Sequence, residues 1–136
     1  MQTMVQTNQT SNALLWVGRV MSGLVIAFML LDGAMKLVPL DVVVTTSEQM
    51  GIPGDLARPL GLIGLVCTML YAFPRTSVLG AIFLTGYLGG AIASHVRLND
   101  PLFTHTLFGL YLGLLAWGGL YLRDARLRAL IPLRTS

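Results

Sequence analysis

Four long apolar runs divide the chain, and they constrain its fold more than any other feature. They lie at about residues 14–38, 56–73, 77–96 and 102–122 of a chain of 136 residues. Each is close to the roughly 20 residues that an α-helix needs to cross a hydrocarbon core about 30 Å thick. No period-two alternation indicates a barrel, and a helix satisfies its own backbone in lipid. The sequence therefore predicts an all-α integral membrane protein with four transmembrane helices.

The composition supports a lipid environment. Apolar residues make up 54% of the chain and charged residues only 11%. A soluble domain of this size needs more charge to cover its surface, so many apolar side chains are expected to face the bilayer. The net charge of +3 comes from scattered basic residues and one C-terminal cluster. That distribution indicates a lipid partner and no nucleic-acid partner.

Short connections predict an antiparallel bundle. The sequence Phe73-Pro74-Arg75-Thr76 breaks the chain between the second and third helices. Asn99-Asp100-Pro101 is typical of an N-cap followed by proline in the first turn of the fourth helix. Because both turns are short, consecutive helices are expected to pack side by side in opposite directions.

The first connection is too long for a simple turn. A short helix is expected from Asp41 to Met50, capped by Asp41 and ended by Gly51. We expect this helix to lie at the membrane interface as a lid over the bundle. The residues expected to share one of its faces are Val43, Thr46, Ser47 and Met50.

The domain organisation follows from these runs. Residues 1–13 are predicted to be a disordered polar tail, residues 14–123 the membrane domain, and residues 124–136 a basic tail. Four spans place both termini on one side, which also carries Arg19, Arg75 and the C-terminal arginines. The positive-inside rule then predicts that both termini are cytoplasmic.

Four aromatic residues lie close to the predicted helix ends on that same side. Tryptophan and tyrosine are enriched at membrane–water interfaces, so these positions predict an aromatic belt at the membrane surface. The residues are Trp16, Tyr71, Trp117 and Tyr121.

Ionisable residues collect at the opposite end of the predicted bundle, where they form a candidate ligand-binding cup roofed by the first connection. Charged groups within a membrane are costly, by about 2.5–3.5 kcal/mol at a helix centre, and generally have a function. Residues at helix ends can instead reach water by snorkelling, and an Asp–Lys pair four residues apart can be purely structural. The candidates are Asp32, Lys36, Arg58, His95, Arg97 and His105.

Glycines recur at helical spacing in the third and fourth runs. Small residues four apart allow helices to approach closely, so these positions predict tight packing of the two helices. A flat ligand accommodated against the glycines is the alternative interpretation. The positions are Gly86, Gly89, Gly90, Gly109 and Gly113.

Several segments resemble the DoxX-like family of small membrane proteins. They are LDGAMKL (31–37), YAFPRT (71–76), GAIFLTGYLGGAIASHVR (80–97), DPLF (100–103) and WGGLYLR (117–123). The resemblance implies a four-helix protein of a bacterial-type inner membrane. The family's namesake is a subunit of a thiosulfate:quinone oxidoreductase, so a redox-associated role is implied. The resemblance assigns no catalytic residues, which stay unknown.

Two functions remain open at this point. The first is a redox-associated protein that binds a quinone or another lipid in the polar cup. Since the sequence has no CxxC motif, nucleotide-binding glycine motif or iron–sulfur ligand set, electrons would come from a redox partner protein. The second is a non-enzymatic assembly partner or homo-oligomer. A metal site is not predicted, because the spacing of His95, His105 and Asp32 matches no recognised ligand motif.

Overall fold

A computed structural model describes residues 12–38 and 41–131, and this part of the chain is helical with no strand. Four helices are long and apolar enough to cross a membrane, and a short helix lies in the first connection, as predicted. The elements are α1 (Asn12–Leu37), α2 (Asp41–Gln49), a 3-10 turn (Gly54–Leu56), α3 (Ala57–Ala72), α4 (Ser77–Arg97), a π-helical segment (Leu102–Thr106), α5 (Phe108–Arg123) and α6 (Ala125–Leu130).

The long helices form a ring in which α1 packs mainly against α3 and α5, and α4 packs against the same two helices. Near the start of α1, Gly18 lies against Gly119 of α5. Near the end of α1, Gly33 lies against Leu65 of α3. We call the end of the bundle where α1 starts and α5 finishes the terminal end, and the opposite end, which carries α2, the loop end.

Glycines allow the helices to approach closely, but most of these glycines are not the ones predicted for helix packing. A Cβ atom on Gly80 would collide with the backbone of Tyr71, and one on Gly109 would lie 3.1 Å from the Leu88 carbonyl oxygen. The structure differs from prediction at four positions, where a Cβ atom would meet nothing within 4 Å: Gly86, Gly89, Gly90 and Gly113. For the three positions on α4, the reason is the rotation of this helix, which turns Gly80, Leu84 and Leu88 inward and the glycine-rich stretch outward.

Tyr71 lies in the core of the bundle and is fully buried. The sequence places it in an aromatic belt at the membrane surface, and this interpretation is wrong. Its hydroxyl donates to the Ala116 carbonyl oxygen at 2.7 Å and is 2.8 Å from the Ser22 hydroxyl. Because the tyrosine proton goes to Ala116, the Ser22 hydroxyl donates to Tyr71. The phenol thus joins α1, α3 and α5 near the terminal end.

Replacing Tyr71 with phenylalanine is expected to lower the free energy of unfolding by about 1–3 kcal/mol, because the Ala116 carbonyl and the Ser22 hydroxyl lose their buried partner. Titrated unfolding in mixed detergent micelles measures the change. Tyr121→Phe is the matched control, since its hydroxyl has no hydrogen bond within the described part of the chain. Equal losses for the two variants would contradict this role of Tyr71.

The fourth span begins differently from prediction. Asp100 does not cap a helix; its carboxylate is bonded to His95 instead. Asn99 has a positive φ of 56°, and the chain then enters the π-helical segment, where the Thr106 amide donates to the Pro101 carbonyl. Segments of this kind are frequent at functional sites, and this one carries His105.

The predicted tails fall partly outside the described residues. Nothing is described for residues 1–11, and Asn12 already belongs to α1. The basic tail contains α6, whose first amides donate to the Asp124 carboxylate, as in an N-cap. Leu127 of this helix is buried, so α6 packs onto the terminal end of the bundle.

Candidate functional site

A cavity of about 350 Å³ opens at the loop end, between α1, α4 and α5 and beneath α2. Its size lies at the lower end of the range for small-molecule sites. Its walls are mostly apolar, with a few polar groups. They are formed by Phe28, Met29, Asp32, Met35, Lys36, Val42, Val43, Thr46, Ser47, Met50, Tyr87, Leu88, Ala91, His95, His105, Phe108, Gly109 and Leu112.

The short helix α2 covers this cavity. All four residues predicted to share one face of α2 line the cavity, together with Val42. The helix ends at Gln49. Gly51, two residues later, has a φ of +73°, the left-handed conformation typical of the residues that follow a helix. Beside it, the Arg97 guanidinium donates to the Met50 carbonyl oxygen at 2.8 Å. Arg97 therefore fastens the lid to the end of α4.

Replacing Arg97 with alanine is expected to loosen the lid, because the exposed hydrogen bond to Met50 contributes about 1 kcal/mol. Amide hydrogen exchange in Asp41–Gln49 should become several-fold faster, while the core of α3 stays unchanged. Arg58→Ala serves as the control, since Arg58 is a cation at the same end that does not line the cavity. Unchanged exchange in the Arg97 variant would refute the fastening role.

Lys36 is the centre of the first polar group in the cavity wall. Its ammonium donates to the Asp32 carboxylate at 2.7 Å and to the Tyr87 hydroxyl at 2.9 Å. The side chains of Lys36 and Asp32 are 26% and 31% exposed, so solvent only partly screens the pair. An ammonium has three protons, which leaves one for a ligand. The Tyr87 hydroxyl accepts from Lys36 and keeps its own proton, for which the described residues supply no acceptor.

His95 is the centre of the second polar group. Its Nδ1 atom lies 2.6 Å from an Asp100 carboxylate oxygen. Because an ionised carboxylate only accepts hydrogen bonds, Nδ1 carries a proton and Nε2 remains available to the cavity. The His105 ring lies edge-on to His95, with ring centroids 6.1 Å apart, and its Nδ1 is bonded to the Thr104 hydroxyl. Asp100 thus fixes the orientation of the His95 ring.

The two polar groups occupy different depths. Tyr87 and His95 are eight residues apart on α4, which corresponds to about 12 Å along the helix axis. A single ring-sized head group therefore contacts one group or the other. The apolar wall between them includes Leu88 and Ala91.

Most of the predicted candidates lie together. Asp32, Lys36, His95 and His105 line the cavity. Arg97 does not line the cavity; it is the last residue of α4 and is hydrogen-bonded to the lid. Arg58 is exposed and also does not line the cavity.

Tyr87 and Asp100 belong to the site but are not among the residues predicted for it. The available signal for Tyr87 is a hydroxyl group within a glycine-rich span. For Asp100, the sequence pattern favours a helix cap instead. Within residues 12–38 and 41–131, no group of three or more His, Cys, Asp or Glu side chains could hold a metal ion.

Two aromatic residues of the cavity wall, one on α1 and one on α5, are also exposed on the outer surface of the bundle. They are Phe28 and Phe108, whose side chains are 37% and 39% exposed. Their rings meet edge to face with centroids 5.0 Å apart. This aromatic pair therefore lies between the cavity and the outer surface of α1 and α5.

Comparison with known proteins finds one family relationship. Residues 20–119 match the DoxX-like family. This range spans most of α1 and continues through α5 to Gly119, so it includes every residue of the cavity wall. No curated protein and no solved structure matches the chain at a significant level.

Proposed function

Because the chain belongs to the DoxX-like family of membrane proteins, we propose that it is a redox-associated protein that binds a quinone or a similar ring-headed lipid in the loop-end cavity. The observation that carries this proposal is the Lys36 group. It presents hydrogen-bond donors, one from Lys36 and one from Tyr87, to a mostly apolar cavity between helices long enough to cross a membrane.

The charge balance favours a neutral head group. Lys36 is paired with Asp32 at 2.7 Å, so the wall has donors but little net charge to attract an anion. A carbonyl oxygen needs one or two donors and no counterion. Quinone carbonyls fit this requirement, and apolar residues such as Leu88 and Leu112 suit the ring.

The lipid tail would leave the cavity between α1 and α5. Phe28 and Phe108 stand at this opening, and their edge-to-face contact is weak, at about 0.5–1.5 kcal/mol. A rotation of either ring would let an isoprenoid chain pass into the bilayer.

The chemistry supplied by a bound quinone is the uptake of two electrons and two protons. The residues of this chain would orient it and manage protons. Lys36 and Tyr87 would hold a carbonyl oxygen. His95, oriented by Asp100, lies at the other depth of the cavity and would pass protons to and from the bound ring through intervening water, without contacting the ring. Electrons would arrive from a redox partner protein. We place the cavity on the non-cytoplasmic side of a bacterial-type inner membrane, with both termini cytoplasmic.

Native mass spectrometry of protein purified in a mild detergent tests the proposal, together with its absorbance spectrum. We expect a stoichiometric quinone or isoprenoid lipid with wild-type protein and a reduced amount with the double variant Lys36→Met, Asp32→Asn. The Arg58→Ala variant should retain the wild-type amount. Empty wild-type protein that also fails to take up added quinone would refute the proposal.

A second candidate is an assembly role, favoured by the outward face of α4. A Cβ atom added at Gly86, Gly89 or Gly90 would meet nothing within 4 Å, and close helix association in membranes uses such surfaces. Crosslinking in membranes would decide it. Loss of a crosslinked species on Gly86→Leu, with quinone binding absent in wild type, would favour this candidate.

A further inference from the structure

Arg123 carries a buried charge at the terminal end of the bundle. Its guanidinium lies over the ring of Tyr71, 5.8 Å from the centroid. The Nε and Nη2 atoms are buried, and neither has a hydrogen-bond partner among residues 12–38 and 41–131. Leaving charged donors buried without an acceptor is unfavourable. The geometry therefore calls for an anion beside Arg123.

Arg123 lines one cavity, a second cavity shares part of its wall with the first, and both have basic walls. The first, of about 260 Å³, is lined by Arg123 and Arg126. The second, of about 400 Å³, shares Arg126 with the first and adds Arg75. The one carboxylate in the two walls belongs to Asp124, and its Oδ1 accepts from the amides at the start of α6. Three guanidinium groups against one carboxylate give a net charge of +2.

We propose that this basic site, formed by Arg75, Arg123 and Arg126, binds the phosphate group of a membrane phospholipid. Guanidinium groups match phosphate oxygens through paired hydrogen bonds. The site is separate from the loop-end cavity, because it lies at the other end of the bundle. It is independent of the proposed quinone function.

The surroundings favour a lipid phosphate over free phosphate. Arg123 is the last residue of a helix long and apolar enough to cross a membrane, so we expect its guanidinium to lie near the depth of the lipid phosphates. The second cavity is also lined by Val78 and Leu130, which are 37% and 58% exposed. These side chains join the cavity to the lipid-facing surface, where acyl chains would lie.

Native mass spectrometry of delipidated protein, titrated with phosphatidylglycerol, tests this site. Arg123→Met should weaken binding about tenfold or more, because a charge-assisted hydrogen bond is lost. Arg58→Met, at the other end, should bind as wild type does. Dioleoylglycerol, which lacks the phosphate, should not bind at the same concentrations. Inorganic phosphate at millimolar concentration should not displace the lipid.

Several results would overturn the proposal. They are equal binding by wild type and Arg123→Met, equal binding of dioleoylglycerol, or full displacement by inorganic phosphate, which would indicate a site for the free ion. If Arg123→Met does not fold, lipid binding is measured instead with the double variant Arg75→Gln, Arg126→Gln, which changes two exposed residues. A tenfold loss in that double variant supports the site, and unchanged binding rejects it.

Discussion

Replacing Lys36 with methionine and Asp32 with asparagine together is expected to weaken binding of a short-tailed quinone about tenfold to a hundredfold. The Lys36 ammonium supplies a charged donor to the cavity, and such hydrogen bonds contribute about 1.5–3 kcal/mol. The double change is needed because Lys36→Met alone would leave the Asp32 carboxylate without its partner at 2.7 Å. Isothermal titration in detergent measures the dissociation constant.

The control for this experiment is Arg58→Met, which removes a cation from the same end without touching the cavity wall. Its dissociation constant should equal that of wild type. Tyr87→Phe should show an intermediate loss, because it removes one neutral donor while Lys36 keeps Asp32. If the double variant binds quinone as tightly as wild type, Lys36 is not the recognition group.

Replacing Gly80 with leucine is expected to lower the free energy of unfolding by about 3 kcal/mol or more. A side chain there would collide with the backbone of Tyr71, which cannot shift as the end of a flexible side chain can. Overpacking of this kind typically costs about 1–3 kcal/mol even where side chains can adjust. Unfolding in mixed micelles, followed by circular dichroism, provides the measurement.

Gly86→Leu on the same helix is the matched control, because a Cβ atom there meets nothing within 4 Å. Its stability should stay within about 0.5 kcal/mol of wild type. Comparable destabilisation by both substitutions would mean that the face of α4 that carries Gly86 is packed, and would contradict an outward orientation of that face.

The four spans and the lid could be predicted from the sequence because both depend on length and local pattern. Asp32 and Lys36 are one helical turn apart, so their pairing is local and could be expected. The lid face could be predicted for the same reason, with Gly51 following the helix at positive φ. These features depend little on how the helices rotate against each other.

The rotation of each helix about its axis could not be predicted. Most of the differences between the predictions and the structure follow from it. Lipid is as apolar as the interior of the bundle, so hydrophobicity does not distinguish the two faces of a span. The sequence pattern therefore favours the interface for Tyr71, although it is fully buried. It favours a helix contact for Gly86 and Gly90, although they face outward. The sequence around Tyr87 does not indicate its partner, because the hydrogen bond to Lys36 crosses from α4 to α1.

Photoaffinity labelling with a quinone analogue in native membranes, followed by peptide mapping, tests whether the loop-end cavity binds a quinone. We expect labels on the cavity wall, in α1 near Lys36, in α2, and in α4 between Tyr87 and His95. Excess unlabelled quinone should remove them, and the Lys36→Met, Asp32→Asn variant should lack them. Labels spread over the outer surface, unaffected by competitor, would contradict a quinone site in this cavity.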